Sequence, residues 1–202
     1  MLNEFLNKYK IILASQSPRR QQLLKELGLN FDVKPVDIEE SYPANLRKRD
    51  IAIYLSELKA KSFNLDELCN NCLIITADTI VLQDEQILPK PKDYDDAVRI
   101  LQTLSGNVHE VITGVSFRTK NKLKSFQSVT KVYFKNLTTK EINHYIEHYK
   151  PYDKAGAYGI QEWIGYIGIE KIEGSYFNVV GLPVQKLYIE LMEFVNLQNN
   201  YI

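Results

Sequence analysis

Two adjacent arginines stand where an apolar segment gives way to a helical pattern, in the stretch ILASQSPRRQQLL at residues 12–24. Ser17 and Pro18 are typical of the first positions of a helix, whose free backbone N–H groups attract anions. Cations at that end of a helix are unfavourable unless a negative ligand is present. The stretch therefore predicts an anion site that uses Arg19 and Arg20, with the alternative that both arginines face solvent.

Three further segments carry side chains suited to a phosphorylated ligand. Asp78 follows the apolar run LIITA, at a strand end where ligands collect in open α/β sheets, although it could also cap a turn. Lys90 lies between prolines that stiffen the backbone, which suits a phosphate-binding ammonium or a plain rigid loop. Gln161 ends the segment DKAGAYGIQ, and its amide could pair with a base edge, whereas glycine-rich segments are also common turns.

Other candidate patterns are weaker. The sequence HYIEH at 144–148 matches the H-x-x-E-H pattern of inverted zinc proteases, but so short a pattern recurs by chance. We expect His109 to be a structural hydrogen-bonding residue. Cys69 and Cys72 offer too few ligands for zinc and precede a strand instead of following one, so we expect two reduced thiols.

Charge and hydropathy limit the classes of function. Lys+Arg and Asp+Glu balance at 25 each, so no overall field holds the protein on nucleic acid or on an anionic membrane. The first residues do not form the apolar run of a signal peptide, and no later run approaches the length of a membrane span. We therefore expect a soluble cytoplasmic protein in which any polyanion site is local.

The positions of these residues depend on a predicted alternation of strands and helices. This alternation predicts a layered α/β fold with a mixed sheet flanked by helices. The chain has 202 residues and 45% apolar content, and we expect a single domain over 1–202. The predicted strands cover residues 11–14, 31–36, 73–82, 108–118, 125–134 and 163–169. The predicted helices cover residues 18–27, 45–63, 93–104 and 184–194, with one more beginning at Thr138.

Six motifs in this order resemble the Maf family of nucleoside triphosphate pyrophosphatases over nearly the whole chain: LAS-x-SPRR-x-x-LL, ADT-I-V, KP-x-D, SG-x-x-H-x-V-x-TGV, DKAGAYGIQ and GSY-x-x-VVGLP. The form DKAGAYGIQ resembles the branch that acts on dTTP and UTP, as opposed to the branch that removes 7-methyl-GTP. The resemblance implies a Maf/inosine-triphosphatase-like fold with a central cleft. It also implies hydrolysis of a nucleoside triphosphate to the monophosphate and pyrophosphate, in nucleotide-pool sanitation.

The resemblance also implies cofactors, partners and site residues. The cofactor is a divalent cation (Mg²⁺, Mn²⁺ or Co²⁺) and the protein is a homodimer; the alternative function is a nucleotide-binding module that regulates septum formation in cell division. Asp78, Glu40 and Lys59 match the catalytic set, with both carboxylates as metal ligands and Glu39 as an open alternative to Glu40. The substrate-binding set is Ser15, Arg19, Arg20, Lys59, Thr79, Lys90 and Gln161, of which Arg19, Thr79 and Gln161 match positions that choose the base.

Overall fold

The computed structural model describes residues 5–64 and 69–199, with the side chains of the last helix up to residue 195. Strands and helices alternate along this part of the chain, joined by 3-10 turns at Lys48–Asp50 and Ala155–Ala157. In chain order the elements are β1 (Lys10–Leu13), α1 (Pro18–Glu26), β2 (Asp32–Val33), α2 (Ile51–Lys61), β3 (Cys72–Gln83), β4 (Gln86–Leu88), α3 (Tyr94–Leu104), β5 (Val108–Arg118), β6 (Leu123–Phe134), α4 (Thr139–Tyr149), α5 (Trp163–Gly168), β7 (Ile169–Glu173), α6 (Tyr176–Val180) and α7 (Val184–Asn199).

The sheet is mixed, as the sequence predicted. Its seven strands include the path β2-β1-β3-β5-β6-β7, and β4 pairs with β3. β1 is parallel to β2 and β3, so Leu13 lies opposite both Val33 and Ile75. β4 runs antiparallel to β3, and β7 runs antiparallel to β6. Ser15 follows the carboxyl end of β1, and Asp78 lies within β3, just beyond the last residue that pairs with β1. Ligand sites of α/β sheets form beyond the carboxyl ends of parallel strands.

Packing divides the chain into two compact units. The first unit contains the chain up to residue 78, residues 113–128 and the chain from residue 181, and the second contains residues 79–112 and 129–180. Strands β3, β5 and β6 contribute residues to both units. The first unit's core includes Leu13, Leu24, Leu73, Phe117 and Phe194, and the second unit's core includes Leu88, Ile100, Leu104, Val132 and Tyr145.

Capping signals placed three helices correctly. Ser17 caps α1 through its side chain, Asp93 caps α3, and Thr138 forms a complete capping box with Glu141 at the start of α4. Each of these side chains accepts a hydrogen bond from a backbone N–H that the helix itself leaves unpaired. No described helix is long and apolar enough to cross a membrane.

The predicted strand over residues 163–169 is wrong. Residues Trp163–Gly168 form helix α5, and strand β7 begins only at Ile169. Ile164 and Gly168 are the buried residues of this segment, one helical turn apart, and a short apolar run does not by itself distinguish this spacing from a buried strand. The predicted strand over 31–36 is also reduced to Asp32–Val33.

The expectation of two reduced thiols is wrong as well. Cys69 and Cys72 form a disulfide immediately before and at the start of β3. A tight turn brings them together, because the N–H of Cys72 donates to the carbonyl of Cys69 at 3.1 Å. Their Cα atoms are 5.3 Å apart, which is within the usual separation for a disulfide.

Candidate functional site

The turn between β1 and α1 presents the amino end of a helix, as its sequence predicted. The Oγ of Ser17 accepts the N–H of Arg20 at 3.4 Å, and the Oγ of Ser15 accepts the N–H of Ser17 at 3.2 Å. Pro18 occupies the first helical position, and the first turn contains no acidic residue. The positive end of the α1 dipole therefore has no acidic partner in its own first turn, which favours an external anion.

Arg20 faces the interior of the first unit, so the alternative that both arginines face solvent is wrong for this residue. Its Nε donates to the carbonyl of Gly181 at 2.9 Å, and its Nη1 donates to the carbonyl of Ala77 at 2.8 Å and to Ser15 at 3.5 Å. Burial lowers the pKa of Arg20, and the Asp78 carboxylate opposes that shift. The guanidinium thus holds the backbone immediately before Asp78.

A lysine bridges the two predicted carboxylates. The Nζ of Lys59 lies 2.5 Å from Oδ1 of Asp78 and 2.6 Å from Oε1 of Glu40. The side chains of Lys59 and Asp78 are each 12% exposed, whereas that of Glu40 is 50% exposed. The structure therefore links Glu40 to Asp78 through Lys59.

Helix α2 positions Lys59, and an unusually close contact with β5 positions α2. A Cβ atom on Gly114 would overlap the backbone of Ala52, so only glycine allows the helix to approach β5 this closely. The hydroxyls of Ser56 and Ser116 lie 2.8 Å apart across the same contact, and Thr76 donates to the carbonyl of Ser56 at 2.6 Å. These bonds satisfy polar groups that are fully buried.

Arg118 closes the carboxyl end of α2. Its Nη1 donates to the carbonyl of Ala60 at 2.7 Å and to that of Phe63 at 3.4 Å. A cation at this end of a helix satisfies orphan carbonyls and complements the dipole. No sequence pattern indicated a role for Arg118, because the partners are backbone carbonyls far away in the chain.

The second unit contains the remaining predicted residues, Thr79, Lys90 and Gln161. Thr79 is partly buried in β3, and Lys90 is exposed between β4 and α3. The carbonyl of Pro89 accepts the N–H of Gly156 at 3.2 Å, so the backbone beside Lys90 is tied to the glycine-rich segment that leads to Gln161. We call residues 153–162 the Gln161 loop.

Neutral and charged groups hold the Gln161 loop. The hydroxyl of Tyr145 accepts the N–H of Gly159 at 3.0 Å and donates to a carboxylate oxygen of Glu162. The Nζ of Lys154 lies 3.1 Å from the other oxygen of Glu162. Tyr145 is fully buried and Lys154 is 8% exposed, so these contacts lie in the interior of the unit.

His109 is structural, as predicted. It is 1% exposed, its Nε2 lies 2.8 Å from the hydroxyl of Tyr158, and its ring packs against Phe134. Burial lowers the pKa of His109 to about 3, so the imidazole is neutral at physiological pH.

The H-x-x-E-H pattern falls on α4 without a metal centre. His144 and His148 are exposed, with ring centroids 4.2 Å apart. Over residues 5–64 and 69–199, no group of three or more His, Cys, Asp or Glu side chains could hold a metal ion.

Asp78 and Glu40 nevertheless fit a divalent cation of the kind the family resemblance implies. Each carboxylate gives one oxygen to the Lys59 nitrogen and has a second oxygen of the kind that binds a cation. Hard oxygen ligands suit Mg²⁺, which commonly binds one or two carboxylates and completes its shell with waters and substrate phosphates. Two carboxylates match the protein ligands that such an ion commonly takes.

Known proteins resemble this chain over nearly its whole length. A family model described as "Maf-like protein" matches residues 10–194. A Flavobacterium johnsoniae protein named dTTP/UTP pyrophosphatase is 51% identical over 195 residues, covering 96% of this chain and 100% of the relative. A Flavobacterium psychrophilum protein of the same name is 52% identical over 192 residues, covering 95% and 98%. A solved structure, "The structure of the Staphylococcus aureus Ham1 protein", has a TM-score of 0.43 and 18% identity over 62% of this chain and 71% of that chain.

Proposed function

Because this chain belongs to the Maf-like protein family, we propose that it is a pyrophosphatase that hydrolyses dTTP and UTP to the monophosphate and pyrophosphate. Full-length relatives at about 50% identity with this activity in their names support the choice of substrates. Those names give no support to a regulatory module in cell division. The observation that carries the proposal is the Lys59 ammonium between Asp78 and Glu40, beside the anion-attracting start of α1.

Binding of the triphosphate requires local positive charge, because the chain has no net charge. We assign this role to Arg19, to the positive end of the α1 dipole and to Lys59, with Ser15 shaping the turn. Arg20 contributes its charge while its hydrogen bonds to Ala77 and Gly181 hold the turn in place. Lys90, Thr79 and Gln161 keep the phosphate-binding and base-choosing roles that the family resemblance implies.

Asp78 and Glu40 would hold the divalent cation, Mg²⁺, Mn²⁺ or Co²⁺. When bound there, such an ion neutralises phosphate charge and lowers the pKa of a coordinated water. Lys59 reduces the repulsion between the two carboxylates when they are close together.

The reaction itself is an in-line attack of water on the α-phosphorus, with pyrophosphate as the leaving group. We assign the proton of that water to Asp78, which is much less exposed than Glu40 and has one oxygen held by Lys59. An ordered, largely buried carboxylate can accept a proton at a defined position, which general base catalysis requires. Lys59 and Arg19 would then stabilise the charge that accumulates on the phosphate oxygens.

A product assay tests the proposal. The purified protein is mixed with Mg²⁺ and one of dTTP, UTP, dCTP, CTP, ATP or GTP, and nucleotides, pyrophosphate and orthophosphate are quantified. We expect monophosphate and pyrophosphate in equal amounts, fastest with dTTP and UTP, and none with EDTA. Release of orthophosphate with formation of the diphosphate, or no turnover of any pyrimidine nucleotide, would contradict the proposal.

We also propose that the protein is a homodimer, on the family resemblance alone. Sedimentation velocity should then give twice the 23.4 kDa chain mass. A species of the single chain mass at micromolar concentration would contradict this assignment.

A further inference from the structure

A glutamine side chain that hydrogen-bonds a pyrimidine base can distinguish uracil from cytosine only if its terminal carboxamide does not rotate. Uracil and thymine present an N–H donor at N3 and an acceptor at O4, whereas cytosine presents an acceptor at N3 and an amino donor at C4. A carboxamide carries an acceptor and a donor side by side, and a half turn about its terminal bond exchanges them. A freely turning Gln161 would therefore pair equally well with uracil and with cytosine.

Glu162 lies beside the same space as the Gln161 amide. The position that a Cβ atom of Gly159 would occupy is 3.0 Å from Oε2 of Glu162 and 3.1 Å from Nε2 of Gln161, so both groups surround the space that this glycine leaves. A carboxylate attracts the amide NH₂ group and repels the amide oxygen. The charge on Glu162 thus favours the orientation in which Nε2 is near Glu162 and Oε1 is turned away.

The oxygen of the Gln161 amide is consistent with the same orientation. Oε1 of Gln161 is buried, and within the described part of the chain no hydrogen-bond donor satisfies it. A buried acceptor without a donor is costly unless a ligand completes it. The N3–H of uracil or thymine would supply that donor if the bound base reaches this oxygen, whereas N3 of cytosine would not.

Glu162 is itself held in place by two partners. Tyr145 donates its hydroxyl proton to the carboxylate, and Lys154 lies 3.1 Å from it as a buried counter-charge. Burial raises the pKa of Tyr145, so its hydroxyl remains a donor at all physiological pH values. The same hydroxyl accepts the N–H of Gly159, which fixes the backbone beside Gln161.

We propose that Glu162, held by Tyr145 and Lys154, is a positioning residue that fixes the orientation of the Gln161 carboxamide and thereby makes the enzyme prefer uracil and thymine to cytosine. The inference rests on the proposed function, because it supposes that Gln161 contacts the base of a nucleoside triphosphate. It adds residues outside the predicted site, namely Glu162, Tyr145 and Lys154.

The decisive variant is Glu162→Gln, which keeps the size of the side chain and its ability to accept from Tyr145 but removes the charge. We expect the ratio of kcat/KM for UTP over CTP to fall about tenfold, with much of the change in the value for CTP. Glu147→Gln is the matched control, since Glu147 is an exposed carboxylate on α4. This control should leave the ratio unchanged.

The ratio distinguishes positioning from general damage. With both nucleotides competing in one reaction, it does not depend on the fraction of active enzyme, so partial misfolding of Glu162→Gln lowers both rates and leaves the ratio unchanged. An unchanged ratio in Glu162→Gln would overturn the inference. Tyr145→Phe provides a second test: it should lower the ratio in the same direction and speed amide exchange at Gly159, and an unchanged ratio there would count equally against the inference.

Two further measurements separate this inference from the proposed function. Wild-type protein that shows no pyrophosphate release from UTP or dTTP would contradict the proposed function itself. A wild-type preference for UTP that survives in Gln161→Ala would leave the proposed function intact and overturn the inference, since the base would then be read elsewhere.

Discussion

The charged centre of the first unit and the Gln161 loop of the second are built in different ways. Lys59, Asp78, Glu40 and Arg20 come from separate segments, namely α2, β3, the chain after β2 and α1. The Gln161 loop is one continuous stretch whose shape depends on its own glycines and on hydroxyl and carboxylate partners. The charged centre thus draws on several elements, whereas the Gln161 loop is a single segment that a side chain of α4 holds in place.

The largest loss of activity is expected from removing a charge in the charged centre of the first unit. Asp78→Asn should lower kcat for dTTP about 10³-fold, because the amide cannot take a proton and is a weaker metal ligand. Steady-state pyrophosphate release measures the loss, and circular dichroism verifies that the sheet persists. Asp95→Asn, an exposed carboxylate on α3, is the control and should retain full activity. Substantial turnover in Asp78→Asn would remove this residue from the chemistry.

The dependence of the charged centre on distant elements can be tested through Gly114. In Gly114→Ala the new methyl group would overlap the backbone of Ala52, so α2 must move away from β5 and take Lys59 with it. We expect a loss of about 1–3 kcal/mol in the free energy of unfolding. Activity on dTTP should also fall, by more than the unfolded fraction explains. Urea titration measures the free energy of unfolding, and kcat for dTTP is measured at the same temperature. If neither value changes in Gly114→Ala, the close contact between α2 and β5 does not position Lys59.

The second unit should be the more sensitive to mild acid. His109 has a folded-state pKa of about 3 against 6.5 in the unfolded chain, so below pH 6.5 the unfolded state binds a proton that the folded state does not. Its contribution to stability is complete above pH 6.5 and is lost as pH falls from 6.5 toward 3, at roughly 1.4 kcal/mol per pH unit.

Unfolding free energies at pH 7, 6 and 5 for wild-type protein and for His109→Gln test this contribution. The loss between pH 7 and pH 5 should be smaller in the variant, which lacks the titrating group. Equal pH slopes in the two proteins would show that His109 is not the source of the acid sensitivity.

The smallest effect is expected at the disulfide, which lies at the start of β3, before the buried run that leads to Asp78. Cys69→Ser should lower the free energy of unfolding by about 1–2 kcal/mol, since the closed loop is very short. Activity on dTTP should not change. A large loss of activity after mild reduction would instead connect the start of β3 to the charged centre.

Local signals accounted for the elements that the sequence predicted well. The side chains of Ser17, Asp93 and Thr138 pair with backbone groups within their own first helical turns, so neighbouring residues suffice to predict them. The segment at Trp163 was predicted to be a strand because its apolar run is too short for the spacing of apolar residues to distinguish a helix from a strand. The disulfide was missed because the spacing of Cys69 and Cys72 does not reveal how closely a turn brings them together.

By itself the sequence determined the order of the motifs, the family they resemble, and the residue types available for phosphate, metal and base. Only the tertiary structure decided that Arg20 holds the backbone before Asp78, that Glu40 shares Lys59 with Asp78, and that Tyr145 and Lys154 contact Glu162. The physical reason is the range of the interactions. Capping and turn formation act between residues a few positions apart, whereas charge pairing and close backbone approach depend on which distant segments the sheet brings into contact.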